Sequence, residues 1–166
     1  YLDFIYFIKN MRKNKNYFAL DEFIESALYN SKTGFYMKKN PFGKKGDFVT
    51  SPNISILFSE MLSIWVVAFW KNLKCPKKVN IIDLGSGNGQ MMYDMIKSLK
   101  NFPNFYNICN FFILEKSPYL KKIQKKKLKN LNIKWINNIE EINNEHNIFI
   151  ANEFFDALPI KQFFKI

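Results

Sequence analysis

Residues 79–90 read VNIIDLGSGNGQ. The first six, Val79–Leu84, form a short, mostly apolar run, with the length and composition of a strand buried in a parallel sheet. Three glycines, Gly85, Gly87 and Gly89, follow at alternate positions. Glycine admits positive φ and lets backbone approach a ligand with no Cβ between them. Met91–Leu99 then places Met92, Met95, Ile96 and Leu99 on one side at helical spacing. Strand, glycine turn and helix in that order open an α/β unit.

The same rhythm continues toward the end of the chain. Phe111–Leu114 reads as a second strand. Ser117-Pro118 opens a helix, with Ser as N-cap and Pro at the first helical position. Leu120, Ile123, Leu128 and Leu131 are its apolar stripe. Ile133–Ile136 and Ile148–Ala151 read as a third and a fourth strand, and Ile160–Ile166 as the start of a fifth. Such alternation predicts an α/β fold with an open sheet and right-handed crossovers.

Before the sheet the chain reads as helical. Asp21–Tyr29 has an acidic first turn and an apolar stripe of Phe23, Ile24, Ala27 and Leu28, with Gly34 as a left-handed cap. Lys38–Asp47 (KKNPFGKKGD) reads as a solvated, mobile loop. Ser51-Pro52 resembles another helix start. Ile54, Leu57, Phe58, Met61, Leu62, Trp65, Ala68 and Phe69 then recur at three- and four-residue steps, the pattern of a buried helix face. Lys74–Lys78 is a linker. The expected division is a helical N-terminal extension over 1–74 and a Rossmann-like core over 75–166.

Composition bounds the function. The 166 residues are 48% hydrophobic and 23% charged, the profile of a folded chain with one core and not of a disordered one. The chain starts at Tyr1 and stops at Ile166 in an apolar run, so a fragment of a longer protein is expected. The net charge is +11, yet only Arg12 is an arginine. Phosphate and base recognition favour Arg, so this basicity reads as compositional drift, and nucleic acid is not the expected partner. Cys75, Cys109 and the single His146 match no ligand spacing, and no metal is expected. Met61–Trp70, the longest apolar stretch, is about half of a membrane span.

The glycine turn carries the chemistry. Ligands of open α/β sheets sit at the carboxyl ends of the strands, where strand order reverses. Asp83 stands there beside Gly85, Gly87 and Gly89. Its carboxylate suits an electropositive ligand, such as the amino group and sulfonium of S-adenosylmethionine, and suits a pyrophosphate badly. The spacing is G-x-G-x-G, with Gln90 where a dinucleotide motif would place Gly, and no Gly-Lys-Ser/Thr of a P-loop follows. Glu115, in ILEKSP, ends the second strand, where an acidic residue accepts the two hydroxyls of an adenosine ribose. Its separation from the turn exceeds the usual twenty or so residues, with Lys100–Asn110 read as an inserted loop. After the fourth strand, Ala151–Pro159 (ANEFFDALP) sets Asn152, Glu153 and Asp156 among apolar neighbours. Buried carboxylates need a neutralising partner, and a guanidinium matches paired carboxylates in charge and shape.

Several segments together resemble a known family. Ala27–Tyr36 (ALYNSKTGFY), Gly46–Ser55 (GDFVTSPNIS), Ile81–Gln90 (IIDLGSGNGQ), Ile133–Trp135 (IKW) and Asn152–Pro159 (NEFFDALP) occur in this order. They look like the MidA-type family of class I methyltransferases, over nearly the whole chain from about Phe18 to Phe164. GDF-x-TSP and NE-x-x-DALP are the specific segments; the glycine turn is shared with many methyltransferases. The resemblance implies a class I methyltransferase sheet behind a helical extension. That extension, with Gly46, Asp47, Thr50 and Ser51, would fold back over the cofactor. It implies transfer of a methyl group to arginine of a protein partner, in mitochondrial members in connection with respiratory complex I assembly. Glu153, Asp156 and Asn152 become the substrate-holding candidates. The implied location is bacterial cytoplasm, or the mitochondrial matrix in a eukaryote. Family members are about twice this length, and Ser86 and Asn88 stand where relatives often carry other small residues.

Two rivals stay open at this level. An RNA methyltransferase would use a basic surface such as Lys121–Lys129, which also reads as the wet face of an amphipathic helix. A non-catalytic assembly factor would keep the fold without the chemistry.

Overall fold

The computed structural model describes Lys9 and residues 19–39, 41–43, 46–143, 146–163 and 165. Phe18 and Phe164, the outer limits of the resemblance, lie outside the described residues. Two compact units form, Tyr1–Lys39 with Glu153–Ile166, and Asn40–Asn152. The long helix before the linker belongs to the unit that holds the sheet.

In the first unit, α1 (Leu20–Tyr29) and α2 (Phe35–Lys38) are joined by a tight turn. Asp21 and Glu22 occupy the first turn of α1 as expected, but no residue of that helix is buried. Gly34 is not the left-handed cap predicted for it: its φ is −59° and it precedes α2, while Asn30 ends α1. Glycine is needed there for closeness. A Cβ at Gly34 would stand 2.6 Å from the Asn30 backbone nitrogen and oxygen and 2.7 Å from the Leu28 carbonyl. The Tyr29 hydroxyl donates to the Ala157 carbonyl at 2.9 Å, tying α1 to the single 3₁₀ turn at Phe155–Ala157.

In the second unit, α3 (Ser51–Ile54) and α4 (Ile56–Asn72) replace the single helix expected from Ser51. Thr50, not Ser51, is the N-cap of α3. Ser55 breaks the run with an extended backbone and caps α4, accepting from the Leu57 amide at 3.2 Å. The face predicted to be buried is largely the exposed one. Leu57, Met61, Trp65 and Phe69 point outward, Trp65 being 56% exposed and stacked on Phe69. Ser59, Ser63, Val66 and Val67 are buried instead. Small residues let α4 come close to α5 (Gln90–Leu99), where the Ser63 hydroxyl donates to the carbonyls of Ser59 at 2.8 Å and Met95 at 3.4 Å. A helix apolar all round gives no periodic signal for which side is covered.

The sheet consists of β1 (Val79–Leu84), β2 (Cys109–Leu114), β3 (Ile133–Ile136) and β4 (His146–Ile150), all parallel in the order β3-β2-β1-β4. Every residue of β1 is buried, as a central strand covered on both faces requires. Met92, Met95, Ile96 and Leu99 of α5 lie in the core, as their spacing predicted. The expected inserted loop between α5 and β2 holds α6 (Pro103–Tyr106), whose Phe105 is fully buried against Trp70. Helix α7 (Pro118–Lys127) starts as read: Ser117 accepts from the Leu120 amide at 3.2 Å and Pro118 follows. The fifth strand does not form over Ile160–Phe163. An apolar run becomes a strand only when paired, and Ile160 and Phe163 are exposed. Phe164 and Ile166 lie outside the described residues. No helix among the described residues is long and apolar enough to cross a membrane.

Candidate functional site

Strand order fixes where a ligand would sit. From β1 the chain builds outward through β2 to β3, then returns to pair β4 on the other side of β1. The switch point lies at the carboxyl ends of β1 and β4. Register aligns those ends: Asp83 pairs with Ile113 and Ile150, and Leu84 with Leu114. Asp83, the glycine turn, Glu115 and Asn152 therefore share one edge of the sheet.

The turn has the backbone its glycines predicted. Gly85, Gly87 and Gly89 have φ of 69°, 54° and 79°. The Gly85 amide donates to the Leu114 carbonyl at 2.9 Å, and the Gly89 amide to the Ser86 carbonyl at 2.8 Å. Gly89 caps α5 in the left-handed region, and a Cβ there would press on Leu128 at 3.2 Å.

Both acidic residues are buried. Asp83 accepts from the Ser86 hydroxyl at 2.5 Å. Burial pushes its carboxyl up to about 7; the Ser86 bond works against this and the Glu115 charge adds to it. Glu115 is also raised, chiefly by burial, and is held down by bonds from the Ser117 amide, the Gln124 side chain and the Lys116 backbone. Two buried acidic groups thus lie at this edge, the charge of Glu115 raising Asp83 and the charge of Lys121 lowering Glu115. A cation carrying vicinal hydroxyls suits such a pair. A pyrophosphate would add to the repulsion.

The segment before α4 meets the turn, and sequence reasoning missed how. Asn53 donates to the Thr50 hydroxyl at 2.8 Å and accepts from the Asn88 side chain at 2.8 Å. Asn88 in turn accepts from the Gln90 amide at 3.0 Å. A Cβ on Gly87 would touch the Phe42 ring at 3.3 Å. Within the loop read as solvated and mobile, backbone bonds join its ends: the Phe48 amide donates to the Pro41 carbonyl at 2.8 Å, and the Gly43 amide to the Phe48 carbonyl at 2.9 Å. Gly46 is where this closure demands glycine, since a Cβ would stand 2.2 Å from the Pro41 carbonyl oxygen. Asp47 and Ser51 are exposed.

The substrate-facing candidates divide between the two units, Asn152 ending one and Glu153 resuming the other. Asn152 is half-buried, whereas Glu153 and Asp156 are exposed. Their expected burial is thus corrected: the flanking Phe155 and Ile160 are exposed too and provide no apolar cover. Glu153 has φ of 50°, a left-handed backbone uncommon for a residue with a Cβ.

A parallel α/β sheet with a glycine turn between two acidic strand tips defines a Rossmann-like fold. The chain belongs to the family described as "Putative S-adenosyl-L-methionine-dependent methyltransferase", whose model matches residues 61–165. It is similar to the mitochondrial protein arginine methyltransferase NDUFAF7 of Xenopus laevis, with 31% identity covering 89% of this chain and 39% of that protein. The Drosophila melanogaster homolog is 29% identical, covering 84% of this chain and 37% of its own. This chain thus spans well under half the length of these curated relatives. Among solved structures, a Burkholderia thailandensis protein crystallised with S-adenosyl-homocysteine matches with a TM-score of 0.72 at 21% identity, over 86% of this chain and 38% of that one. That likeness establishes the fold.

Proposed function

We propose that the protein is an S-adenosylmethionine-dependent methyltransferase acting on an arginine side chain of a protein partner. The observation that carries the cofactor reading is the buried Asp83–Glu115 pair about the glycine turn, two acidic groups that suit an aminoacyl sulfonium with ribose hydroxyls. The crystallised S-adenosyl-homocysteine of the Burkholderia thailandensis protein supports it. The arginine reading is supported by the names of the relatives, which also place them in mitochondria; a part in complex I assembly, and a matrix location in a eukaryote or a cytoplasmic one in a bacterium, are further parts of this reading.

The cofactor would supply a methyl group activated by its sulfonium. The chain's work is placement. Glu115 accepts the ribose hydroxyls, and Asp83 faces the cationic end. Gly85, Gly87 and Gly89 let backbone approach it. Gly46, Asp47, Thr50 and Ser51 shape the covering segment that Asn53 pins to Asn88. Glu153 and Asp156 hold the guanidinium, with Asn152 beside them, and Glu153 takes the proton released at the methylated nitrogen. Exposure of both carboxylates fits a large protein substrate that covers them on docking.

The deciding experiment incubates the full-length protein with cell extract and methyl-labelled S-adenosylmethionine, then identifies the labelled residue. Methylarginine in one or a few proteins is the expected result. Label in RNA would favour the rival substrate class. Cofactor binding with no label in protein or RNA would leave a scaffold.

A further inference from the structure

Gln124 lies on α7 in the middle of its apolar stripe and is fully buried. Its side-chain amide makes three hydrogen bonds. The oxygen accepts from Trp135 Nε1 at 3.0 Å. The nitrogen donates to the Gly87 carbonyl at 2.8 Å and to Glu115 Oε2 at 2.9 Å. An indole N–H can only donate, so Trp135 fixes which way the amide faces, and both amide hydrogens are directed at the turn and the carboxylate. The other oxygen of Glu115 accepts from the Ser117 amide at 2.9 Å. A carboxylate offers about four acceptor positions. With the bond from the Lys116 backbone, these bonds set the plane of the carboxylate.

Packing alone does not explain a glutamine here. Leu120 and Leu128, one turn to either side, are buried on the same stripe. A leucine or methionine would fill the space with no amide to desolvate. Gly89 is bare toward this residue: a Cβ there would meet Gln124 Cγ at 3.4 Å, so α7 rests directly on the turn.

We propose that Gln124 is a positioning residue for cofactor recognition, locking the Glu115 carboxylate and the Gly87 carbonyl into one frame that meets the ribose hydroxyls without rearrangement. This rests on the S-adenosylmethionine reading above. Trp135 belongs to the same device, since it orients the amide.

The test is calorimetric titration of the full-length protein with S-adenosylhomocysteine and with its 2′,3′-dideoxy analogue, which lacks the ribose hydroxyls. Gln124→Met is expected to lose about ten- to hundredfold in affinity for S-adenosylhomocysteine and to match the parent on the dideoxy analogue. Unchanged affinity for S-adenosylhomocysteine, or an equal loss for both ligands, overturns the proposal, the latter because a general structural role would weaken both. If Gln124→Met does not fold by thermal melting, Trp135→Phe decides instead. It removes only the orienting donor, and the same hydroxyl-selective loss is expected at smaller size; a uniform loss or none overturns the proposal. A folded parent that binds neither ligand sinks the cofactor reading itself, a result distinct from either failure of Gln124.

Discussion

At Asp83, burial and charge oppose one another. The unfolded chain would ionise this group near the ordinary 3.8, while burial holds it at about 7 in the fold. Below about pH 4 both states are protonated and the group has no effect. Between about 4 and 7 the folded state retains a proton that the unfolded state has lost, so stability falls as pH rises, and levels off above about 7. The gap corresponds to about 4 kcal/mol. Glu115, also raised, acts with the same sign. Asp83→Asn is therefore expected to flatten the decline in melting temperature between about pH 5 and pH 8 and to abolish S-adenosylmethionine binding. A variant whose melting temperature still falls as steeply as the parent's would show that Asp83 is not the titrating group. The two cysteines give a simpler contrast. Burial pushes the Cys109 thiol up to about 12, and its sulfur faces the Phe105 carbonyl at 3.2 Å, whereas Cys75 is exposed. A thiolate is the reacting species, so Cys75 is expected to label with a thiol reagent near neutral pH well before Cys109; equal rates would contradict the burial. At this scale the sequence displayed Asp83, Glu115 and the glycines, because strand tips and turns are local features. Ser86 and Asn88 looked like minor departures, yet one bonds Asp83 and the other bonds Asn53. Gln124 reaches Gly87 across 37 positions, which no local pattern reports. Its one visible signal was a polar residue four positions from both Leu120 and Leu128, inside an apolar stripe.

Elements join these residues into a frame, and their joints are where side-chain size decides. The closed loop from Pro41 to Phe48 leaves no space for a side chain at Gly46. Gly46→Ala is expected to open that loop, loosening the Asn53–Asn88 and Phe42–Gly87 contacts and weakening cofactor binding. The sheet's melting temperature should change little, since β1 to β4 are untouched. Titration and thermal melting of the same variant separate these effects; a large drop in melting temperature with affinity intact would reverse the assignment. On the opposite side of the sheet edge, an asparagine row crosses three strands. Asn80 is buried, donates to Asn147 at 2.8 Å and accepts from Asn110 at 3.1 Å, both of which are its register partners. Asn80→Val should lower stability by about 1–3 kcal/mol by stripping both partners of their bonds, a change read by denaturant unfolding; an unaltered midpoint would show the row to be idle. Strand positions were legible throughout β1 to β4, because short apolar runs between turn residues have few other readings. The covered side of α4 was not. Its large apolar residues face outward and its serines inward, since close helix approach selects small side chains, and hydrophobic spacing cannot register that choice.

Across the whole molecule, burial is unevenly shared. The second unit holds a core that runs from Val66 and Val67 of α4 through β1 and α5 to Phe105, Leu128 and Ile150. In the first unit α1 buries no residue, and the turn at Phe155–Ala157 buries none. Local stability follows buried apolar contact, so the two units should open at different free energies. The sequence anticipated a helical N-terminal region and a sheet core, because composition and periodicity change near the linker. It did not show that residues after Asn152 group with the N-terminal helices, because that grouping is made by tertiary bonds such as Tyr29 to Ala157. Hydrogen exchange of the full-length protein makes the consequence measurable. Amides of β1 and β2 are expected to exchange last, through global unfolding, and those of α1 earlier by orders of magnitude, through local opening. Tyr29→Phe removes the hydroxyl that bonds Ala157, and should hasten exchange in α1 and the 153–159 segment together while leaving β1 unchanged. Faster exchange in α1 alone would show that the Tyr29 bond does not couple the two segments. Equal protection of α1 and β1 in the parent would mean that the chain unfolds as one cooperative body.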